Sequence, residues 1–479
     1  MKSFVSKFPY LLWVFLIATA LMAQQQEQQS STASIHPEDG DGVVLDQADA
    51  APDATDGVMA VTPDDRPLTG GRVIGTGSRG PRHSFFVPGF RVAQILDSNA
   101  EMVANSHYRG FSSLNGDLQL IHYFGASTSI RYAGAVRYDT RAEVEGLQQF
   151  TNAHALSISH LNRFRTWDLL FDNETQYSQG SNFGATGMEG LGSIITATSA
   201  WGGVGNIQLE STALQPDLAP NQSILTLRSG RVSNTVLGEA DYRPDERNTF
   251  TMTGFYGLLH FTDRGLIDTS QTGFVLGANR ALSPVDSVAV EYGFSNFGFS
   301  GTTETLKNNY VGLLYGRKLT GHIAVSAGAG PQFISDRTSI SNDDRLGWQG
   351  RATLDWQMRR IGLHAGVLRN LTSGSGVLFG AYTNSIQGGV SYGISRNWDS
   401  SFMFGWARNT GVSSPLRYNT QYFGASAARH IGRDRSLFFS YDLQHQTSFG
   451  CAQTTCAVNG VRHVFGAGFS WTHQPIGMY

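Results

Sequence analysis

From about residue 88 to residue 472 the chain alternates apolar and polar side chains in segments of 10 to 15 residues. Trp348, Gly350, Ala352, Leu354, Trp356 and Met358 fall on one face of such a segment, and Gln349, Arg351, Thr353, Asp355 and Gln357 on the other. Val288, Val290, Tyr292 and Phe294 likewise oppose Ser287, Ala289, Glu291 and Gly293. Leu437, Phe439, Tyr441 and Leu443 oppose Ser440, Asp442, Gln444 and Gln446. A period of two predicts β-strands with one apolar and one polar face. Clusters of Gly, Asn, Asp, Ser and Pro punctuate them. No fixed-length repeat of the kind that builds propellers or solenoids is visible. The segments outrun the roughly 5–6 residues of a soluble sandwich strand. They match the roughly 9–11 residues that a tilted strand needs to cross a bilayer. The polar faces mix Arg, Asp, Gln and His with Gly and Ser, which suits a wet interior. The apolar faces carry aromatics near segment ends, as in an interfacial girdle. The pattern predicts an all-β fold, a transmembrane antiparallel up-and-down β-barrel.

The connections fix its size. Tight links fall near 125–128, 162–165, 243–247, 282–285, 319–321, 358–360, 395–397 and 431–435. Longer links alternate with them, near 99–112, 139–152, 179–230, 263–270, 300–305, 336–344, 372–379, 410–417 and 449–460. Eight short and nine long links join eighteen strands, with sixteen as the alternative. Both ends of the barrel then lie on the short-turn, periplasmic side. Eighteen strands enclose an aqueous channel rather than a packed core. Arg131, Arg137, Asp168, Asp172, Arg351, Asp355 and Asp442 are the expected lumen-lining charges. Both signs occur among them, so strong ion selectivity is not indicated.

Composition agrees. Charged residues are 15% of 479 and aromatics 11%, with 56 Gly. A soluble globular chain carries about 25% charged residues and about 7% Gly. A net charge of −3 leaves no footprint for nucleic acid. The single long apolar run, Tyr10 to Ala23, follows Lys2 and Lys7 and precedes small residues. That is the layout of a cleaved secretory signal peptide over residues 1–23, with Ala18-x-Ala20 or Ala23 as the cleavage site. Residues 24–87 read as a disordered acidic periplasmic arm. Between Gln24 and Gly80 ten acidic residues face three arginines, and aromatics are absent. Such a composition does not offset its ordering entropy. The stretch Gly75 to Gly80 matches G-x-G-x-x-G, but it lacks the flanking strand and helix of a dinucleotide site and reads as linker. Residues 88–472 are the barrel and 473–479 a C-terminal tail.

Candidate chemistry lies in the loops. The longest, about Gln179 to Gly230, holds Gly-rich pieces and an apolar run from Ile194 to Trp201. Ile194, Ile195 and Trp201 mark it as a candidate constriction loop folded into the lumen; an external loop with its own hairpin is the alternative. Cys451 and Cys456 share the last external loop, and an oxidising compartment favours a disulfide between them over a metal site. No metal, no cofactor and no catalytic residues are expected. His260 with Asp263 and His445 with Ser448 could form hydrolytic pairs by type, but no nucleophile-elbow motif frames any Ser.

Four stretches carry a family resemblance. Val464 to Trp471 places Phe465, Ala467, Phe469 and Trp471 on one face near the C-terminus. Pro88 to Asn99 reads PGFRVAQILDSN; the others are Arg165 to Gly184 and Asn234 to Phe261. With these the chain resembles Gram-negative outer-membrane β-barrels of the porin type over roughly residues 88–472. It departs from them in the tail that follows the last aromatic strand. The resemblance implies location in the cell outer membrane. It implies contact with outer-membrane lipid and lipopolysaccharide, and with the barrel-assembly machinery during insertion. The implied function is passive diffusion of small polar solutes through a porin-like channel. The alternative is an exporter or scaffold barrel for secreted polysaccharide or another periplasmic system, with the acidic arm as a tether.

Overall fold

The computed structural model describes residues 68–69, 84–99, 108–125, 127–140, 149–179, 230–262, 265–337, 342–358, 360–374, 376–450 and 460–478. The wall runs through β1 (Ser84–Asp97), β2 (Arg109–Phe124), β3 (Thr128–Asp139), β4 (Phe150–Arg163), β5 (Trp167–Gln179) and β6 (Gly230–Tyr242). It continues through β7 (Asn248–Phe261), β8 (Thr269–Ala281), β9 (Asp286–Phe299), β10 (Thr305–Thr320), β11 (Ile323–Arg337) and β12 (Asn342–Gln357). β13 (Ile361–Thr372), β14 (Ala381–Ser395), β15 (Trp398–Gly411), β16 (Arg417–His430), β17 (Arg435–Phe449) and β18 (Gly460–Thr472) complete the circuit. Each strand pairs antiparallel with its sequence neighbours, and β1 closes on β18 from Gly89↔Thr472 to Asp97↔Val464. The result is a closed barrel of eighteen antiparallel strands. Closure leaves no unpaired edge, so the ladder itself satisfies the backbone polar groups, as a bilayer demands.

The barrel is longer than the sequence pattern predicts. A short β19 (Ile476–Met478) pairs with Ser84–Phe86 of β1, so the expected tail joins the wall. The expected arm likewise ends before Ser84 rather than at residue 87. Phe85, Phe86 and Ile476 give these ends strand character that Pro88 and Pro475 mask in the sequence. The tight links all lie on the end that holds Ser84. The link between β10 and β11 is residues 321–322, and that between β14 and β15 is residues 396–397. In the 243–247 turn, Asp245 accepts hydrogen bonds from the Asn248 side chain and from the backbone N–H groups of Arg247 and Asn248. These bonds, led by that from the Asn248 side chain, hold its carboxyl below the usual range.

The two faces of the wall are reversed relative to a water-soluble protein. Val92, Val290, Leu313, Phe402, Phe404 and Phe439 point outward and are exposed. Ser113, Thr253, Gln271, Gln332, Thr383 and Gln446 point inward and are buried. Near the short-turn end, Trp167, Tyr242 and Phe250 form an outward aromatic row, with ring centroids 4.7 and 6.4 Å apart. At the other end Arg369 lies over Trp348 at 4.5 Å and Arg408 over Trp406 at 5.3 Å. An apolar band between such girdles is a lipid-facing surface. Leu313 sits in its middle, paired with Val290 and Ala329. Leu313→Arg is expected to cost about 2–4 kcal/mol, the range for a cation at mid-bilayer. The check is the yield of heat-modifiable barrel on folding into liposomes. Thr253→Arg, on the inward face, should lower that yield less.

Candidate functional site

The candidate site is the interior of the barrel, built by every second residue of the strands. Arg131, Arg137, Asp168, Asp172, Arg351, Asp355 and Asp442 all lie on inward positions. Several acids are held by hydroxyls of the adjacent strand and by guanidinium groups, whether on the same strand, in the adjoining turn or across the lumen. Ser159 donates to Asp172 at 2.6 Å, Thr251 to Asp241 at 2.7 Å and Thr253 to Glu239 at 3.0 Å. Arg137 pairs with Asp139 at 2.8 Å, Arg243 with Asp168 at 2.9 Å and Arg351 with Glu291 at 3.2 Å. Charge of both signs is thereby neutralised locally. A second polar strip runs across three strands. Thr372 and Thr383 share a hydrogen bond of 2.9 Å, and Thr383 donates to Asn409 at 2.7 Å. Both strips set buried hydrogen-bonding groups along the inward face.

The inward face turns apolar at the long-loop mouth. Phe297, Phe299, Leu306, Ile334, Leu371 and Val412 form one buried cluster there. The 373–380 loop between β13 and β14 folds across it. Val377 and Leu378 pack with Ala381, Leu416 and Tyr418, and Phe379 meets Phe299 edge-on at 5.6 Å. The loop also reaches the link between β7 and β8, six strands away, where Ile267 donates its N–H to the Gly376 carbonyl at 2.9 Å. Glycine makes this path possible. Gly374, Gly376 and Gly380 have φ of 81°, 78° and 78°, values that other residues rarely adopt. A Cβ on Gly376 would stand 2.3 Å from the Phe261 ring. The loop is an apolar lid over the sector from β7 to β16.

Sequence reasoning places the inward constriction in the Gln179–Gly230 loop, marked by Ile194, Ile195 and Trp201. Those three residues lie outside the described residues, as do Cys451 and Cys456. The lid at 373–380 is the element that the sequence reading misses. Its signal is present in TSGSGVLFG, an apolar triplet between glycines. His260 points outward and meets Asp268 at 2.8 Å, Asp263 lies outside the described residues, and His445 is outward-facing.

The lumen also holds a piece of the N-terminal segment. Leu68 and Thr69, expected in a disordered periplasmic arm, lie against the inward faces of β8 and β12. Thr69 is fully buried. Its N–H donates to Asn279 Oδ1 at 3.2 Å, and the Asn279 amide donates in turn to Thr69 Oγ1. Arg351 donates to the Leu68 carbonyl at 3.0 Å. A Leu-Thr pair needs no apolar core here, because its polar atoms meet a polar wall. Beside this contact is a cavity of about 60 Å³ lined by Gln271, Glu291, Ser295, Asn308, Arg351 and Asn370. A space of that size has room for a few waters.

No protein-family model and no curated protein sequence matches this chain. Among solved structures, the outer membrane protein OpdK from Pseudomonas aeruginosa aligns over 81% of this chain and 99% of its own, at 8% identity and a TM-score of 0.39. Pseudomonas aeruginosa OpdL aligns over 83% and 99%, at 12% identity and a TM-score of 0.39. Pseudomonas aeruginosa OccK2 (OpdF), solved with glucuronate, aligns over 83% and 98%, at 9% identity and a TM-score of 0.41. These are among the solved structures to which the chain is similar in the course of its barrel.

Proposed function

We propose that the protein is an outer-membrane channel for passive diffusion of small polar solutes. The observation that carries the reading is the reversed polarity of a closed eighteen-strand wall, apolar outside and polar within. Such a wall is stable in lipid and holds water inside it. The path is lined by Arg131, Arg137, Asp168, Asp172, Arg351, Asp355 and Asp442, whose mixed signs and hydroxyl partners favour neutral or zwitterionic polar solutes over one class of ion. The same reading gives it a cleaved signal peptide, a place in the outer membrane among lipopolysaccharide and insertion by the barrel-assembly machinery. A disulfide between Cys451 and Cys456 belongs to the same reading of an oxidising compartment.

Purified full-length chain in planar bilayers is expected to give discrete conductance steps under applied voltage. Bi-ionic potentials should show cation and anion permeabilities that differ little, and liposomes should take up small sugars. A folded, heat-modifiable protein that gives no steps at any voltage would remove the channel reading. Steps of one strongly preferred sign would remove the neutral-solute assignment.

A further inference from the structure

Inside the lumen the contacts made to Leu68–Thr69 fall on one peptide group and on the Thr69 hydroxyl. Arg351 holds a backbone carbonyl, Asn279 holds the next backbone N–H, and both groups come from the barrel wall. The side-chain amide of Asn279 also reaches the Thr69 hydroxyl, so one residue meets Thr69 at two points. Arg351 is aimed by Glu291, which takes the same Nη2 at 3.2 Å and is itself buried. The seat is completed by a missing side chain. A Cβ on Gly277 would stand 2.1 Å from Thr69 Oγ1 and 2.3 Å from Thr69 Cβ.

We propose that Gly277, Asn279, Glu291 and Arg351 form a binding site for a peptide turn, and that the chain's own Leu68–Thr69 turn occupies it and plugs the channel. The plug half of the proposal rests on the channel reading; the site half does not. The site lies in the short-turn half of the lumen, since Gly277 and Asn279 are four and two residues from the end of β8 at Ala281. The chain re-enters the wall at Ser84, on that same end. Residues 70–83 are 14 in number. At about 3.3 Å per residue they reach roughly 46 Å. Eighteen strands about 4.8 Å apart and tilted about 40° make a barrel roughly 36 Å across, so the reach suffices. The opposite mouth carries the 373–380 lid, and the small cavity beside Arg351 lies against the plug. The channel is therefore narrowed at both ends by different parts of the chain.

The test uses the full chain with Cys451→Ser and Cys456→Ser, and with Thr69→Cys as a reporter. A bulky polyethylene-glycol maleimide should leave position 69 unmodified in the folded protein, and should modify it once Gly277→Val fills the seat. Valine suits a strand, and heat-modifiability confirms folding. Asn279→Ala with Arg351→Met, which removes the hydrogen bonds without adding bulk, should expose position 69 as well. Rapid labelling with Gly277 intact would overturn the site. In bilayers Gly277→Val should raise the open probability several-fold, although it adds volume to the wall. Labelling that follows the prediction while conductance stays unchanged would overturn the plug. If neither protein conducts, the channel reading and the plug fall together, and labelling alone decides the site.

Discussion

Asp97→Ala is expected to lower the temperature at which the barrel opens in detergent more than any single inward substitution elsewhere. Asp97 ends β1 and is fully buried. Arg462, on β18, clasps it with Nε at 3.1 and 3.2 Å and Nη2 at 2.7 Å. The pair closes the seam where the first strand meets the last. Neighbouring atoms complete it. Ser98 N–H donates to the His463 carbonyl at 2.9 Å, His463 N–H to Ser98 Oγ at 2.7 Å, and Asn99 Nδ2 to the Val461 carbonyl at 3.2 Å. Removing the carboxylate takes from the buried guanidinium the acid that clasps it across the seam. Breaking one side of a buried pair costs about 3–5 kcal/mol, whereas replacing both sides by apolar groups is often close to neutral. Arg462→Met should therefore destabilise as Asp97→Ala does, and the double variant should recover much of the loss. The measurement is the heat-modifiable band on electrophoresis. A double variant as weak as the sum of the singles would mean that the pair contributes nothing as a pair.

The wall was legible because its information is local. Alternation at Trp348–Met358 or Leu437–Gln446 assigns each side chain to a face, and a one-residue slip would reverse every one of them. The tight links were legible for the same reason; Leu282-Ser-Pro-Val285 and Ile431–Arg435 carry their own turn chemistry. The Asp-Ser-Asn ending of β1 stood out in the sequence, but its use as a seam fastener did not, because Arg462 is 365 residues away. Lid and plug were hidden more deeply. Periodicity is silent on a loop whose path depends on positive-φ glycines and on a ring, Phe261, contributed from six strands away. The Leu68–Thr69 contact is made through one peptide group and one hydroxyl, which no periodicity marks. Lumen-facing charges such as Arg351 and Asp172 were placed by parity alone; their partners, Glu291 and Ser159, required the register.

Replacing Leu378 and Phe379 in the lid by serine is expected to shift the channel toward its open state while leaving the barrel folded. Leu378 is buried against Ala381 and Tyr418, and half-buried Phe379 meets Phe299. These contacts hold the loop across the mouth; they belong to no ladder. Losing one large buried apolar side chain costs about 2–5 kcal/mol. Since about 1.4 kcal/mol is a factor of ten, the lower bound alone changes the closed-to-open ratio roughly thirty-fold. The strand pairing Thr372↔Ala381 that anchors the loop is untouched, so the detergent resistance of the barrel should stay near its original value. Gly376→Ala should act in the same direction by a different route, because its new Cβ meets the Phe261 ring and its φ of 78° disfavours alanine. Single-channel recording and sugar uptake by liposomes both report the change. If conductance stays flat in both variants while the barrel remains heat-modifiable, the lid does not stand in the solute path, and the narrowing lies wholly at the Thr69 end.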